Sequence, residues 1–380
     1  MIGPKDFYDL LAGSRVTLFA GVPDSLLKDF CAYVTDTAPA ERHVITANEG
    51  AAIALAMGHH LATGELGLVY MQNSGLGNTV NPLTSLADPA VYGIPMLLLV
   101  GWRGKPGEHD EPQHVQMGAV TLATLEAIGV EHAILPDTLD GARAALELAV
   151  ERARSGRRPY ALVVPKGTFD VYKLKKKDNA PYEVSREAAI ERVVAAIPRG
   201  AAVVATTGMP SRELYEIRER RGEPHASDFL TVGGMGHASM IALGVAMADR
   251  ARTVFCLDGD GAVLMHMGSL STIASLRPQR YKHIVLNNGA HDSVGGQPTV
   301  AFDVDLCAIA RASGYPVALR ATTLAELDER LAELAAADGP ALLEVRVKKG
   351  SRPDLGRPKQ SPADLTRDFS GALRGDRAHD

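Results

Sequence analysis

The chain has 380 residues, 46% of them hydrophobic and 22% charged, the make-up of a protein with about two well-filled domains. A net charge of −5 gives no electrostatic support for nucleic-acid binding. Three widely separated cysteines, Cys31, Cys256 and Cys307, form neither a disulfide framework nor a zinc spacing. No apolar run approaches the roughly 18 residues of a membrane span. The opening "MIGPKDFYDLLAG" reads as an amphipathic helix, not a signal peptide, so a cytoplasmic location is expected.

In chain order, the first half predicts strands at Val16–Phe19, His43–Thr46, Gly67–Met71, Pro95–Val100, His132–Leu135 and Tyr160–Val164. Apolar residues at three and four spacing predict helices between them, as at Gly50–Ala62 and Leu139–Arg154. "DVYKLKKKDNAPYEVS" is polar, basic and aperiodic, and reads as a linker. Strands then follow at Ala201–Ala205, Arg252–Leu257, Lys282–Leu286, Pro316–Arg320 and Ala341–Val347, with helices such as Leu324–Ala336 between. The Pro- and Arg-rich tail from Gly350 reads as irregular. Strand–helix alternation in both halves predicts an α/β chain with two doubly wound parallel-sheet domains.

In such sheets ligands bind beyond the carboxyl ends of the strands. Six glycine-bearing segments fall there: "GVPDSLL", "QNSGLGN", "ATTGMPS", "GGMGHAS", "DGDGA" and "NNGAHDSVGG". Asp260 follows a strand between Gly259 and Gly261, whose missing side chains let the backbone approach a ligand. A helix follows, and its first amides favour an anion. Asn288 sits just past the next strand. An Asp carboxylate, an Asn amide oxygen and a nearby carbonyl offer a hard cation three oxygens and leave positions for phosphate, which suits Mg²⁺. Each segment alone reads as an ordinary turn. "GMGHAS", with Asp258 downstream, imitates a dinucleotide fingerprint, but Ser239 replaces its third glycine.

Gly259-Asp260-Gly261, 25 residues, then Asn287-Asn288 resembles the thiamine-diphosphate (ThDP) motif of ThDP-dependent decarboxylases and synthases. The resemblance implies that Asp260, Asn288 and the carbonyl of Ala290 hold Mg²⁺, with Ala262 in the same diphosphate-binding turn. It implies a pyrimidine-binding domain over 1–170, a linker at 171–185, a diphosphate-binding domain over 186–350 and an irregular tail over 351–380, with no middle domain. "TANEGAAIALAMGHHLATG" resembles the segment that sets a carboxyl group beside the aminopyrimidine, and Glu49 is the matching residue. Gly234-Met235-Gly236 matches the place where an apolar wedge bends the cofactor. Thr206, Thr207 and Gly208 follow a strand and are expected to donate to the diphosphate. The family also implies a homodimer or larger assembly, with active sites between subunits.

The cofactor provides an electron sink for the carbanion left when a 2-oxo acid loses CO₂. "FAGVPDSLLKDFCAY", "DEPQHVQMG", "TTGMPSREL", "DFLTVGGMGHAS" and "NNGAHDSVGGQPT" resemble the branch of the family whose small substrates carry a phosphonate, or in its nearest relatives a sulfonate. Such a headgroup calls for cations, hydroxyls and helix-end amides. Expected contacts are Ser25, opening a helix, Arg103, Lys105, His291 and Ser293, with Arg352 and Arg357 of the tail in reach. Asp24 and His114 match the proton-handling acid and histidine of related decarboxylases. Val294 stands where some relatives carry a Glu, so the final protonation falls to another group, His291 or Asp292 among them.

Overall fold

The computed structural model describes residues 1–176 and 181–375. They form two compact units, residues 1–176 with 294–297, and residues 181–293 with 298–375. Part of the expected linker, 177–180, and the end of the expected tail, 376–380, lie outside the described residues.

The first unit is built on β1 (Val16–Gly21), β2 (His43–Ile45), β3 (Leu66–Gln72), β4 (Met96–Gly101), β5 (Glu131–Ile134) and β6 (Pro159–Val164). Their order is β2-β1-β3-β4-β6-β5, every pairing parallel. Central β4 and β6 are buried along their whole length. That is why they read as unbroken apolar runs and not as alternating ones. Asn48 caps the helix Glu49–Thr63 by accepting from Ala51 N at 2.9 Å, and Thr138 caps Leu139–Gly156 in the same manner. The start of the expected linker is held, since Asp29 accepts from Tyr172 N and Asp36 from the amides of Lys175 and Lys176.

The second unit carries β7 (Ala202–Ala205), β8 (Asp228–Leu230), β9 (Val254–Gly259), β10 (Tyr281–Asn287), β11 (Val317–Ala321) and β12 (Ala341–Arg346). Its order, β8-β7-β9-β10-β12-β11, is the first sheet's order strand for strand, again all parallel. In both sheets the chain reverses direction beside the first strand, between β1 and β3 and between β7 and β9. Such switch points are where ligands bind in open α/β sheets.

Two features depart from the sequence expectation. Edge strand β8 has too few apolar residues to register as a strand. Its Asp228 is buried because Arg218 grips both carboxylate oxygens, at 2.9 and 3.1 Å. The tail, expected to be irregular, contains the helix Pro362–Gly375. Ser361 and Asp364 cap it reciprocally, the Asp364 amide donating to Ser361 Oγ and that hydroxyl to Asp364 Oδ2. Leu365 joins the core on one face of the second sheet, while Phe369 joins the core on the other and meets the Phe229 ring of β8 at 5.5 Å. Its apolar positions are spaced by four within a charged sequence, so a composition-based reading overlooks them. Phe369→Ala is expected to lower stability by about 3 kcal/mol in denaturant titration. The exposed Arg374→Ala should stay within about 0.5 kcal/mol, and equal midpoints for the two would show that the helix is not docked.

Candidate active site

The polar residues of the second unit gather where β7, β9 and β10 end. Leu286 of β10 is in register with Gly259 of β9, so Asp260 and Asn288 leave neighbouring strands close together. Thr206 follows β7, itself paired with β9 through Ala205 and Leu257. One cleft is lined by Thr206, Thr207, Met235, Asp260, Asn288 and Ala290. Gly259, Gly261, Ala262, His291, Asp292 and Ser293 also line it, together with Arg186, Met209, Pro210 and Leu286.

Asp260 begins the helix Asp260–Met265 and is 2% exposed. Its Oδ2 accepts from Thr299 Oγ1 at 2.5 Å. Burial pushes its carboxyl up to about 6, against the opposing pull of that hydroxyl and of the amides of Asn288, Asp260 and Gly261. Asn288 is also buried, and its Oδ1 accepts from Ala290 N at 3.1 Å. Gly208 ends the β7 turn at φ 94°, a conformation open to glycine, and the helix Met209–Arg221 starts from it. Gly234 and Gly236 have φ of 64° and 87° and hold Met235, half-exposed, against the cleft and out of the core. The set contains a buried carboxylate, an amide oxygen and a backbone carbonyl on one wall. All are hard oxygen donors, which fits Mg²⁺ better than a softer ion.

His291 opens an edge to the same cleft, but dense packing around its ring pushes the imidazole down to about 4. At neutral pH it is an uncharged hydrogen-bonding group. Asp292 Oδ2 accepts from Arg186 Nη1 at 2.9 Å and from Asn288 Nδ2 at 2.7 Å. Arg352 is likewise taken up in ion pairs with Glu187, Glu216 and Asp354. Behind the cleft, Cys256, Asp258 and His283 bring possible ligand atoms within 4.8 Å of one another. The thiol is fully buried and pushed well above its usual pKa, and His283 Nε2 lies 3.3 Å from Asp258 Oδ2. That arrangement is an internal acid–imidazole pair supporting the end of β9.

In the first unit the polar residues again sit at strand ends. Glu49, 5% exposed, opens the helix after β2. Its Oε2 accepts from Asn78 Nδ2 at 2.7 Å, and burial raises its pKa. Asp24, past β1, is fully buried. It accepts from Gln72 Nε2 at 2.6 Å and from Leu26 N at 2.8 Å, and burial raises its pKa also. Asn73, next to Gln72, donates to Arg103 O and to Thr121 Oγ1. Gln72, Asn73 and Asn78 all belong to "QNSGLGN", a stretch recognisable as a strand-end loop but not assigned residue by residue from sequence.

The expected anion contacts are partly rearranged. Ser25 lies in a turn ahead of the helix Lys28–Thr37, not at its first position, and accepts from Arg103 Nη1 at 2.7 Å. The other two guanidinium nitrogens of Arg103 bind Asp110, at 2.8 and 2.5 Å. That pairing holds Asp110 far below the usual carboxylate range. Lys105 is not part of this group, being paired with Glu108 at 3.0 Å. His114 is 8% exposed, and among the described residues its Nδ1 meets no hydrogen-bond partner. Burial first, then the charge of Arg103, lowers its pKa.

Two comparisons bear on this geometry. Residues 1–125 match the N-terminal TPP-binding domain of thiamine pyrophosphate enzymes, and residues 206–345 match their C-terminal TPP-binding domain. The two domains are therefore those of a ThDP-dependent enzyme. The phosphonopyruvate decarboxylases of Streptomyces viridochromogenes and Streptomyces hygroscopicus are each 41% identical to the chain. Both matches cover 97% of this chain, with 94% of the first protein and 93% of the second. Sulfopyruvate decarboxylase of Methanosarcina acetivorans is 26% identical, with 98% of each chain covered. The chain belongs to this family of thiamine-diphosphate-dependent 2-oxo acid decarboxylases. It is a carboxy-lyase for a small-molecule substrate. Among the described residues no helix is long and apolar enough to cross a membrane.

A Cβ added at Gly75 would run into the Glu49 carboxylate. Gly75→Ala is therefore expected to displace that group and to lower kcat about 100-fold, with circular dichroism unchanged. Wild-type turnover would show that the carboxylate tolerates displacement.

Proposed function

We propose that the protein converts 3-phosphonopyruvate to phosphonoacetaldehyde and CO₂ with ThDP and Mg²⁺, as a step of phosphonate biosynthesis. The observation that carries the cofactor half of this reading is the single cleft where Asp260, Asn288 and Ala290 converge beside Thr206, Thr207 and the Gly259–Ala262 turn. The substrate half rests on the two full-length relatives at 41% identity. The acid breaks its bond to the carboxylate, CO₂ leaves, and a proton takes its place on the carbonyl carbon. When bound, the cofactor accepts the electron pair that CO₂ leaves behind.

The chain's residues then take these roles. Asp260, Asn288 Oδ1 and the Ala290 carbonyl would hold Mg²⁺, and Thr206, Thr207 and Gly208 would bind the diphosphate. Met235, raised between two glycines, would give the bound cofactor an apolar contact. Glu49 has Oε2 anchored by Asn78, which leaves Oε1 as the atom that would hold or move a proton beside the cofactor's pyrimidine ring. Its raised pKa suits a carboxyl that must give and take a proton near neutral pH. Asp24, with a raised pKa of the same origin, and neutral His114 manage the substrate's protons. Ser25, Arg103 and Ser293 receive the phosphonate, with His291 as an uncharged donor. Lys105 would have to leave its pair with Glu108 to reach the phosphonate. The pyrimidine-binding half over 1–170 and the diphosphate-binding half over 186–350 serve one site between subunits of a homodimer or larger cytoplasmic assembly.

A parallel assay with phosphonopyruvate, sulfopyruvate and pyruvate tests the reading. We expect turnover on phosphonopyruvate that chelation abolishes and Mg²⁺ restores. A clear preference for sulfopyruvate would transfer the assignment to the sulfonate branch. Glu49→Gln is expected to retain ThDP and lose about 100-fold or more in kcat, and a near wild-type rate would remove Glu49 from proton exchange.

A further inference from the structure

An asparagine makes an uncertain metal ligand unless something fixes its amide. A half-turn about the last side-chain bond exchanges the acceptor oxygen for a nitrogen with two donors. With the nitrogen turned inward, Asn288 would aim N–H groups at a cation. Two neighbours remove the ambiguity. The Ala290 amide is a donor and must meet the oxygen, which it does at 3.1 Å. The Asp292 carboxylate is an acceptor and must meet the nitrogen, which it does at 2.7 Å. Both demand the same orientation, and Oδ1 keeps a second lone pair for a metal.

Asp292 is itself held. Its Oδ2 takes the Asn288 nitrogen, Arg186 Nη1 at 2.9 Å and Gly350 N at 3.0 Å. Arg186 is 4% exposed, and its remaining nitrogens, Nε and Nη2, grip Glu213 at 2.8 and 3.1 Å. Glu213 is 1% exposed. A buried guanidinium of this kind is costly unless its partners are well placed, and here it faces one carboxylate on each side. The four residues come from separate parts of the second unit. Arg186 and Glu213 lie on the helices Arg186–Ala196 and Met209–Arg221, and Asp292 and Asn288 lie on the turn after β10.

We propose that Asp292, fixed by Arg186 and Glu213, is a positioning residue that locks the Asn288 amide with its oxygen toward the cation. The inference rests on the reading of Asn288 as a metal ligand. Partners that orient the ligands of a metal are commonly worth 10–100-fold in its affinity.

The test is Mn²⁺ binding to the ThDP-loaded enzyme, followed by the electron paramagnetic resonance signal of free Mn²⁺. The Mg²⁺ activation constant and kcat at saturating Mg²⁺ are measured alongside. Asp292→Ala is expected to weaken Mn²⁺ about 10–100-fold and to raise the Mg²⁺ activation constant in step. Its kcat at saturating Mg²⁺ should stay within a few-fold of wild type, a division that general loosening of the fold would not produce. Asp292→Asn keeps an acceptor oxygen and should recover most of the affinity. Asp292→Ser, too short to reach the amide, repeats the first measurement with the same expected loss should the alanine variant fail to fold. Wild-type Mn²⁺ affinity in Asp292→Ala or Asp292→Ser, together with loss in Asn288→Ala, overturns the positioning role alone. So does Asp292→Asn binding as weakly as Asp292→Ala. Wild-type affinity in Asn288→Ala overturns the ligand reading and the inference with it.

Discussion

A carboxylate enclosed by protein must be met by donors or by a cation, and Asp260 sets that condition at the heart of the second sheet. Its burial places a charge where water does not compensate it. The surrounding features answer that requirement. Glycines on both sides admit a ligand, Thr299 and three backbone amides face the carboxylate, and Asn288 leaves the next strand beside it. The parallel sheet makes the meeting possible. Only neighbouring strands running the same way deliver both side chains to one end, with a helix returning the chain between them.

The first sheet uses the same strand order for a different chemical purpose. Its buried acids, Glu49 and Asp24, face amide side chains. Asn78 and Gln72 each hold one oxygen, leaving carboxyls whose pKa values burial has raised. Thus one sheet plan carries an oxygen-lined cleft in one copy and buried acids with raised pKa values in the other. The shared order, β2-β1-β3-β4-β6-β5 matched by β8-β7-β9-β10-β12-β11, supports an origin by duplication. At the level of residues the two halves no longer resemble each other, because packing preserves topology under much looser constraints than chemistry preserves side chains.

Much of this was legible in the amino-acid sequence, for identifiable reasons. Strands buried on both faces, such as β4 and β6, announce themselves as apolar runs, and of the twelve strands described all but β8 fall where the sequence predicts one. The Asp260 and Asn288 turns stand out because both acid and amide follow such runs. What escaped were partnerships that join distant segments. Nothing local ties Asp110 to Arg103, Glu213 to Arg186, or Thr299 to Asp260, yet these pairs decide which charges remain available. Arg103, Lys105 and Arg352 read alike in the sequence as free cations, whereas each has a carboxylate partner in the structure. The helix in the tail was missed for a similar reason. Its few apolar residues gain meaning only against the two faces of a sheet formed far upstream.

That helix also bears on how the chain folds. Strand β8 is a sheet edge, with backbone groups poised to pair with any other extended segment. Leu365 and Phe369 straddle the edge, one entering each face's core. Yet they follow β8 by more than a hundred residues of intervening sheet. During synthesis the second sheet therefore passes through a stage with its β8 side bare and Phe229 uncovered. A chain stalled or clipped before Pro362 would keep every residue that lines the cleft and still leave that edge open to pairing. The last helix thus closes over an edge laid down long before it, far along the chain from the residues that line the cleft.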